Sequence, residues 1–175
     1  MGDLASQRSA GFEALFDEFA PAVRNYVRRR AQVADVDDVV ADVFLVAWQR
    51  FDSIPNDFRQ AWLFRTAWNV LANRRRKFVE LPFEQLPDDP RDGDIADVVV
   101  EDLMLRQAWL ALGARDREVL RLVAWDGLNG AELAAALGIS VSGAGVALSR
   151  ARARFEAACA ETSSSATTFK GGGDR

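Results

Sequence analysis

The chain has 175 residues, 49% hydrophobic and 27% charged, with a formal net charge of −4, which is material for one ordinary domain or two small ones. The absence of histidine and a single cysteine, Cys159, exclude an internal disulfide, the usual zinc sites and His-based triads. Carboxylate chemistry stays open, but no other sign of an active site accompanies it, so no enzymatic role, cofactor or metal is expected. No apolar run approaches the roughly 20 residues of a membrane span, and Met1 to Ala10 lacks the apolar segment of a signal peptide. The expected setting is therefore a reducing, cytoplasmic one without a membrane partner.

Helical periodicity starts at Gly11 and predicts a first helix to about Arg30, with Phe12, Leu15, Phe16, Phe19 and Val23 at core spacing. Pro21 is expected to bend or restart it. A second helix is predicted from Val36 to Phe51. Its buried face is Val36, Val39, Val40, Val43, Phe44 and Ala47. Asp35, Asp38 and Asp42 fall one turn apart on the other side, with Leu45 and Gln49 beside them. A solvated acidic face and a surface for docking onto a basic partner helix fit this pattern equally.

The third predicted helix, from Phe58 to Lys77, sets Leu63, Phe64, Ala67, Val70 and Leu71 toward the core. Phe58, Trp62, Arg65, Thr66, Asn69, Asn73 and Arg76 share the opposite face, and the helix ends in Arg74, Arg75, Arg76 and Lys77. Aromatics can stack on unpaired bases, amides can read base edges and a basic end can neutralise phosphate. Trp62 taken alone reads better as core than as a ligand contact; the strip as a whole favours nucleic acid.

Residues 80–102 carry nine acids (Glu80, Glu84, Asp88, Asp89, Asp92, Asp94, Asp97, Glu101 and Asp102) against one base, Arg91. Nine against one is −8, which leaves +4 for the rest of a chain whose total is −4. With three prolines and a glycine between Leu81 and Asp94, the segment is expected to be a flexible linker. An acidic total thus does not argue against a nucleic-acid partner. The fold class expected is all-α: helical domains over 11–79 and 103–160, joined by the linker at 80–102 and followed by a disordered Ser/Thr/Gly-rich tail at 161–175.

Gly130 to Arg154 reads as a helix, a tight turn and a second helix. Leu133 and Leu137 lie one turn apart, Gly138 can end the helix in a left-handed conformation, Ile139 plugs the corner and Ser140 can cap the next helix. Ala144, Leu148, Ala151 and Phe155 form the buried stripe of that helix. Ser142, Val146, Ser149 and Arg150 face away, with Arg152 and Arg154 further along. A short polar face running into arginines suits a helix that enters a DNA major groove, although a plain helical hairpin has the same outline. On these residues alone, two other readings stand: a helix-turn-helix regulator acting on duplex DNA, and a helical adaptor or sequestering protein.

Three segments in order resemble the extracytoplasmic-function (ECF) class of bacterial RNA polymerase sigma factors, in the sigma-70 family, over about Phe12 to Ala158. Asp35–Phe51 is similar to the family's polymerase-binding segment. Phe58–Asn69 with the basic run after it resembles the segment that melts the promoter and reads the −10 element. Leu112-Gly-Ala-Arg-Asp-Arg-Glu-Val-Leu120, leading into the helix-turn-helix, resembles the domain that reads the −35 element.

The resemblance implies that Asp35, Asp38, Asp42, Leu45 and Gln49 dock onto the β′ clamp helices of core RNA polymerase, with the β flap as a further contact. It implies that the loop Ser53–Asp57 captures an unstacked non-template base. Asn56, Phe58, Trp62, Arg65, Thr66, Asn69, Asn73, Arg74, Arg75 and Arg76 would then contact −10 DNA. Ser142, Gly143, Gly145, Val146, Ser149 and Arg150 would contact the −35 element, and an anti-sigma factor would be a further partner common in the family. Two departures stand out. The tryptophan pair of housekeeping members is missing near Arg65 and Thr66, which implies a stricter promoter requirement. The recognition helix also lacks the usual basic residues at Gly145 and near Ala147, so fewer phosphate contacts and a flatter salt dependence are expected.

Overall fold

A computed structural model describes residues 2–78 and 103–169, with side chains described for 5–74 and 103–163. The described chain is built of helices α1 (Gly2–Arg28), α2 (Val36–Gln49), α3 (Arg59–Phe78), α4 (Leu103–Ala111), α5 (Ala114–Ala124), α6 (Gly130–Leu137) and α7 (Val141–Phe169), with short 3₁₀ turns around α2 and before α3.

Helices α1, α2 and α3 pack on one another as an N-terminal body. The buried face of α2 is the predicted set, Val36, Val39, Val40, Val43, Phe44 and Ala47. Two expectations for α1 need correction. The helix is not restarted at Pro21 but runs on through it; the proline is exposed, so water can satisfy the carbonyl it leaves without a donor. Phe16 is 42% exposed rather than core, because Leu15, Val23, Tyr26 and Val27 take the buried positions.

Helix α7 packs against α4, α5 and α6 to form the C-terminal body. Trp109 of α4 meets Trp125 and Phe155 edge-on, at 5.0 and 6.0 Å between ring centroids. Asn129 and Glu132 close a reciprocal capping box at the start of α6. Gly138 ends α6 at φ 67°, ψ 36°, the left-handed conformation expected of it. The chain then bends by 96° into α7. The Ser140 hydroxyl accepts the Gly143 N–H at 3.1 Å and so caps α7. Ala144 and Ala151 are fully buried along the predicted stripe, with Leu148 and Phe155 half-buried.

Helix α7 continues to Phe169, so residues 161–169 are helical where a disordered tail was expected. The Thr162 and Ser163 hydroxyls both donate to the Cys159 carbonyl, each at 2.9 Å, which turns two poor helix formers back onto their own backbone. The expected linker at 80–102 and the residues from 170 onward lie outside the described residues.

The two bodies are in contact. Helix α6 lies against α3, and a single buried cluster runs from Leu15 and Phe64 to Leu128, Leu133 and Ala144. Ion pairs lie beside it. The Arg30 Nε donates to Glu118 Oε2 at 2.8 Å and its Nη2 to Asp126 Oδ2 at 2.9 Å. Arg29 reaches the other Asp126 oxygen, and the Tyr26 hydroxyl donates to Glu118 Oε1 at 2.9 Å. The Arg30 guanidinium lies 3.6 Å from the Tyr26 ring centroid, and that ring stacks on Phe64. Burial and the Glu118 carboxylate hold the Tyr26 phenol well above its ordinary pKa. Burial alone would lower the Arg30 pKa, but Tyr26, Glu118 and Asp126 together raise it, so the cation persists in the interior.

Candidate nucleic-acid interface

Helix α2 turns Asp35, Asp38, Leu45 and Gln49 outward because its valine face is committed to the core. Leu45 is 56% exposed, and Trp48, absent from the sequence-derived set, extends the apolar part of this surface. Asp42 differs from its neighbours: it is half-buried and accepts two hydrogen bonds from Arg74 of α3, at 2.6 and 3.1 Å. Arg74, expected to meet phosphate, is thus occupied in tying α2 to α3.

On α3, the strip divides by burial. Arg65 and Asn69 are exposed, and so is Asn73 one turn on. Phe58 and Trp62 are half-buried and packed on the core, which agrees with the core reading of Trp62. Thr66 differs from its neighbours on the strip: it is 8% exposed, and its hydroxyl donates to the Trp62 carbonyl at 2.9 Å. The side chains of Arg75 and Arg76 lie outside the described residues. Asn56 accepts a hydrogen bond from Arg59 at 2.7 Å, which fixes its orientation before the helix starts. Trp68, exposed one turn from Arg65, was not picked out by the strip; an aromatic three residues after an exposed arginine was the available signal.

On α7, Ser142, Gly145, Val146, Ser149 and Arg150 are exposed, and Gly143 is half-buried beneath the Ser140 cap. A cavity of about 590 Å³ opens between α5 and α7, lined among others by Arg115, Ser142, Val146, Arg150 and Arg154. Arg154 is ion-paired with Asp116 at 2.7 Å. Arg115, contributed by α5, adds positive charge beside the first turns of α7, whose own arginines begin only at Arg150; its place could not be read from the periodicity of α7.

Residues 15–78 match the family described as Sigma-70 region 2, and residues 102–155 match Sigma-70 region 4. The chain is 34% identical to RNA polymerase sigma factor CnrH of Cupriavidus metallidurans, over 88% of this chain and 91% of that one. It is 29% identical to ECF RNA polymerase sigma factor SigL of Mycobacterium tuberculosis, covering 78% and 81% of the two chains. Among solved structures, CnrH in complex with the cytosolic domain of CnrY is similar with a TM-score of 0.59 at 32% identity, covering 88% and 93%. The sigma factor RpoE of Bartonella quintana, in complex with the anti-sigma factor NepR, shares the fold at a TM-score of 0.53 and 20% identity, covering 90% and 97%. Both matched regions, in order, account for the acidic helix, the aromatic and amide strip and the helix-turn-helix together. The chain belongs to the ECF sigma factors of the sigma-70 family and is a transcription-initiation subunit that directs RNA polymerase to promoter DNA.

Proposed function

We propose a division of the sigma-factor task among three surfaces of this chain. The outward face of α2, Asp35, Asp38, Leu45 and Gln49 with Trp48 beside them, docks onto the clamp helices of core polymerase. Its support is the pairing of exposed carboxylates with an exposed leucine on a helix whose other face is fully buried. Asp42 contributes by holding Arg74 rather than by direct contact.

The Asn56 loop, Arg65, Asn69 and Asn73 read the unpaired −10 strand, with Phe58 and Trp62 as the floor beneath them. Thr66 positions this helix from inside. The face of α7 bearing Ser142, Val146, Ser149 and Arg150 reads the −35 element, and Arg115 supplies a phosphate contact that the first turns of α7 lack. The chain acts in the cytoplasm, carries no catalytic step of its own, and is a candidate for restraint by an anti-sigma factor of the kind seen with its structural neighbours.

The observation that carries this reading is the separation of the surfaces by burial: each is exposed on a helix anchored by the opposite face. Asp38→Arg is expected to lose core-polymerase binding in a pull-down while keeping its helical circular dichroism. Asn69→Ala is expected to lower open-complex formation far more than core binding. Unchanged core affinity in the first variant would misplace the docking face, and equal losses in the second would misplace the −10 surface.

A further inference from the structure

The N-terminal turns of α1 lie against the end of α2, and there Arg8 touches two residues at once. Its Nη2 donates to the Trp48 carbonyl at 2.8 Å. Its guanidinium carbon lies 4.9 Å from the Trp48 ring centroid, and its Nε 3.5 Å from Asp52 Oδ2. The carbonyls of a last helical turn are the ones a basic side chain from elsewhere can reach. One turn further along α1, Gly11 comes so close to Phe51 that a Cβ on it would lie 3.1 Å from the ring. Phe12 meets Trp48 and Phe51 edge-on, at 5.1 and 5.9 Å between ring centroids.

Phe51 and Asp52 open the segment that carries Asn56. The Ser53 hydroxyl donates to the Arg50 carbonyl at 2.8 Å, Ile54 is buried, and Arg59 holds the Asn56 side chain from the far end. Pro55, Asn56 and Asp57 are exposed between these anchors. A loop that takes a base out of the stack pays the unstacking cost, and ordering the loop during capture would add a second cost. The loop must therefore be held beforehand. The Ser53, Ile54 and Arg59 anchors are local in sequence; Arg8, with Gly11 and Phe12 beside it, is an anchor from a different helix.

Two features of Arg8 point to the loop rather than to the stability of the fold. The Arg8 and Asp52 side chains are 36% and 80% exposed, and an ion pair that open contributes little to folding. The Arg8 Nε itself, however, is buried and has no hydrogen bond among the described residues. A buried donor left unpaired is costly. The Asp52 carboxylate is the acceptor that a small shift of the loop entry brings onto it, so Arg8 draws that entry toward α1.

We propose that Arg8 is a positioning residue for −10 recognition: it fixes Asp52 against the end of α2 and so holds the Asn56 loop in the shape that selects its base. The proposal rests on the base-capturing reading of that loop and requires no contact between Arg8 and DNA.

The test is base selectivity, position by position. Core polymerase saturated with the full chain is scored for open-complex formation on a promoter duplex that the wild-type assembly selects from a randomised pool. Each −10 non-template base is then replaced in turn by the other three. Asn56→Ala marks the position the loop reads, as the one where preference flattens. Arg8→Gln and Asp52→Asn are each expected to lower preference at that same position by about tenfold, the worth of one charge-assisted hydrogen bond. Preference at the other −10 positions, and helical circular dichroism, should stay as in the wild type. The double variant should lose no more than either single one, because both remove the same contact.

An even loss at every −10 position would make Arg8 a general structural contact and overturn the proposal. A uniform loss with a shallower salt dependence would make it a phosphate contact and overturn it equally. So would full selectivity in Arg8→Gln at the position that Asn56→Ala marks. If Asn56→Ala flattens no position, the base-capturing reading itself fails and takes the proposal with it, a result distinguishable because the Asn56 variant alone delivers it.

Discussion

The recognition helix contains two glycines whose surroundings differ, and the difference predicts opposite responses to the same substitution. A Cβ built on Gly145 meets nothing within 4 Å, whereas one on Gly143 comes 3.1 Å from the Ser140 hydroxyl oxygen. That oxygen is the one that accepts the Gly143 N–H and caps the helix. A glycine inside a helix costs about 0.8–1.0 kcal/mol relative to alanine. Gly145→Ala should therefore stabilise the chain by about 1 kcal/mol, a rise of about 2–4 °C in Tm for a chain of this size. Gly143→Ala should gain little or lose stability, because displacing the cap offsets the helical gain. Gly145→Lys should keep most of the stabilisation and add a cation beside Val146, Ser149 and Arg150. One further phosphate contact steepens the dependence of log K on log salt by about 0.9. Thermal melts followed by circular dichroism measure the first effect, and binding of the polymerase-bound chain to promoter duplex across a salt series measures the second. A lowered Tm for Gly145→Ala, equal responses at the two glycines, or an unchanged salt slope for Gly145→Lys would refute this account of the helix.

Tyr26 is the only tyrosine, so its phenolate absorbance reports one site. Its pKa in the folded chain is raised, first by burial and then by the Glu118 charge. The unfolded chain therefore loses this proton first: the stability contribution is intact below about pH 10 and falls as pH rises through the folded pKa. Phenolate absorbance and loss of helicity should rise together above pH 10, and Tyr26→Phe should flatten that part of the stability profile. Titration near pH 10 in a chain that stays folded would contradict the burial of this residue. At the start of α6, the Asn129 side chain accepts the Ala131 and Glu132 N–H groups at 3.0 and 3.1 Å. Asn129→Ala should cost about 1 kcal/mol in urea unfolding while Asn129→Ser keeps most of the stability; equal losses would exclude the cap as the cause.

Where one face of one helix decided the outcome, the residues were legible in advance. The six buried positions of α2, the alanine stripe of α7, the left-handed Gly138 and the Ser140 cap all follow from local spacing or local backbone geometry, which neighbours in the chain determine. The candidate surfaces followed in the same way, as what remained after the core faces were assigned. Legibility ended where a side chain's fate depends on a distant element. Thr66 sits near the boundary of the α3 strip, and only packing against the neighbouring helices puts it inside. Asp42 and Arg74 each resembled a solvated charge until α2 and α3 brought them together.

Residue order by itself determined an all-helical chain with an acidic-faced helix, an aromatic and amide helix and a helix-turn-helix. Those are properties of periodicity and composition within short windows. Only the tertiary structure decided that the two bodies meet, and on which face. Arg30 and Glu118 are separated by 88 residues, and no local rule distinguishes a buried partner from a surface charge at that distance. A buried ion pair is defined by mutual geometry and the exclusion of water, and both exist only once the bodies have packed.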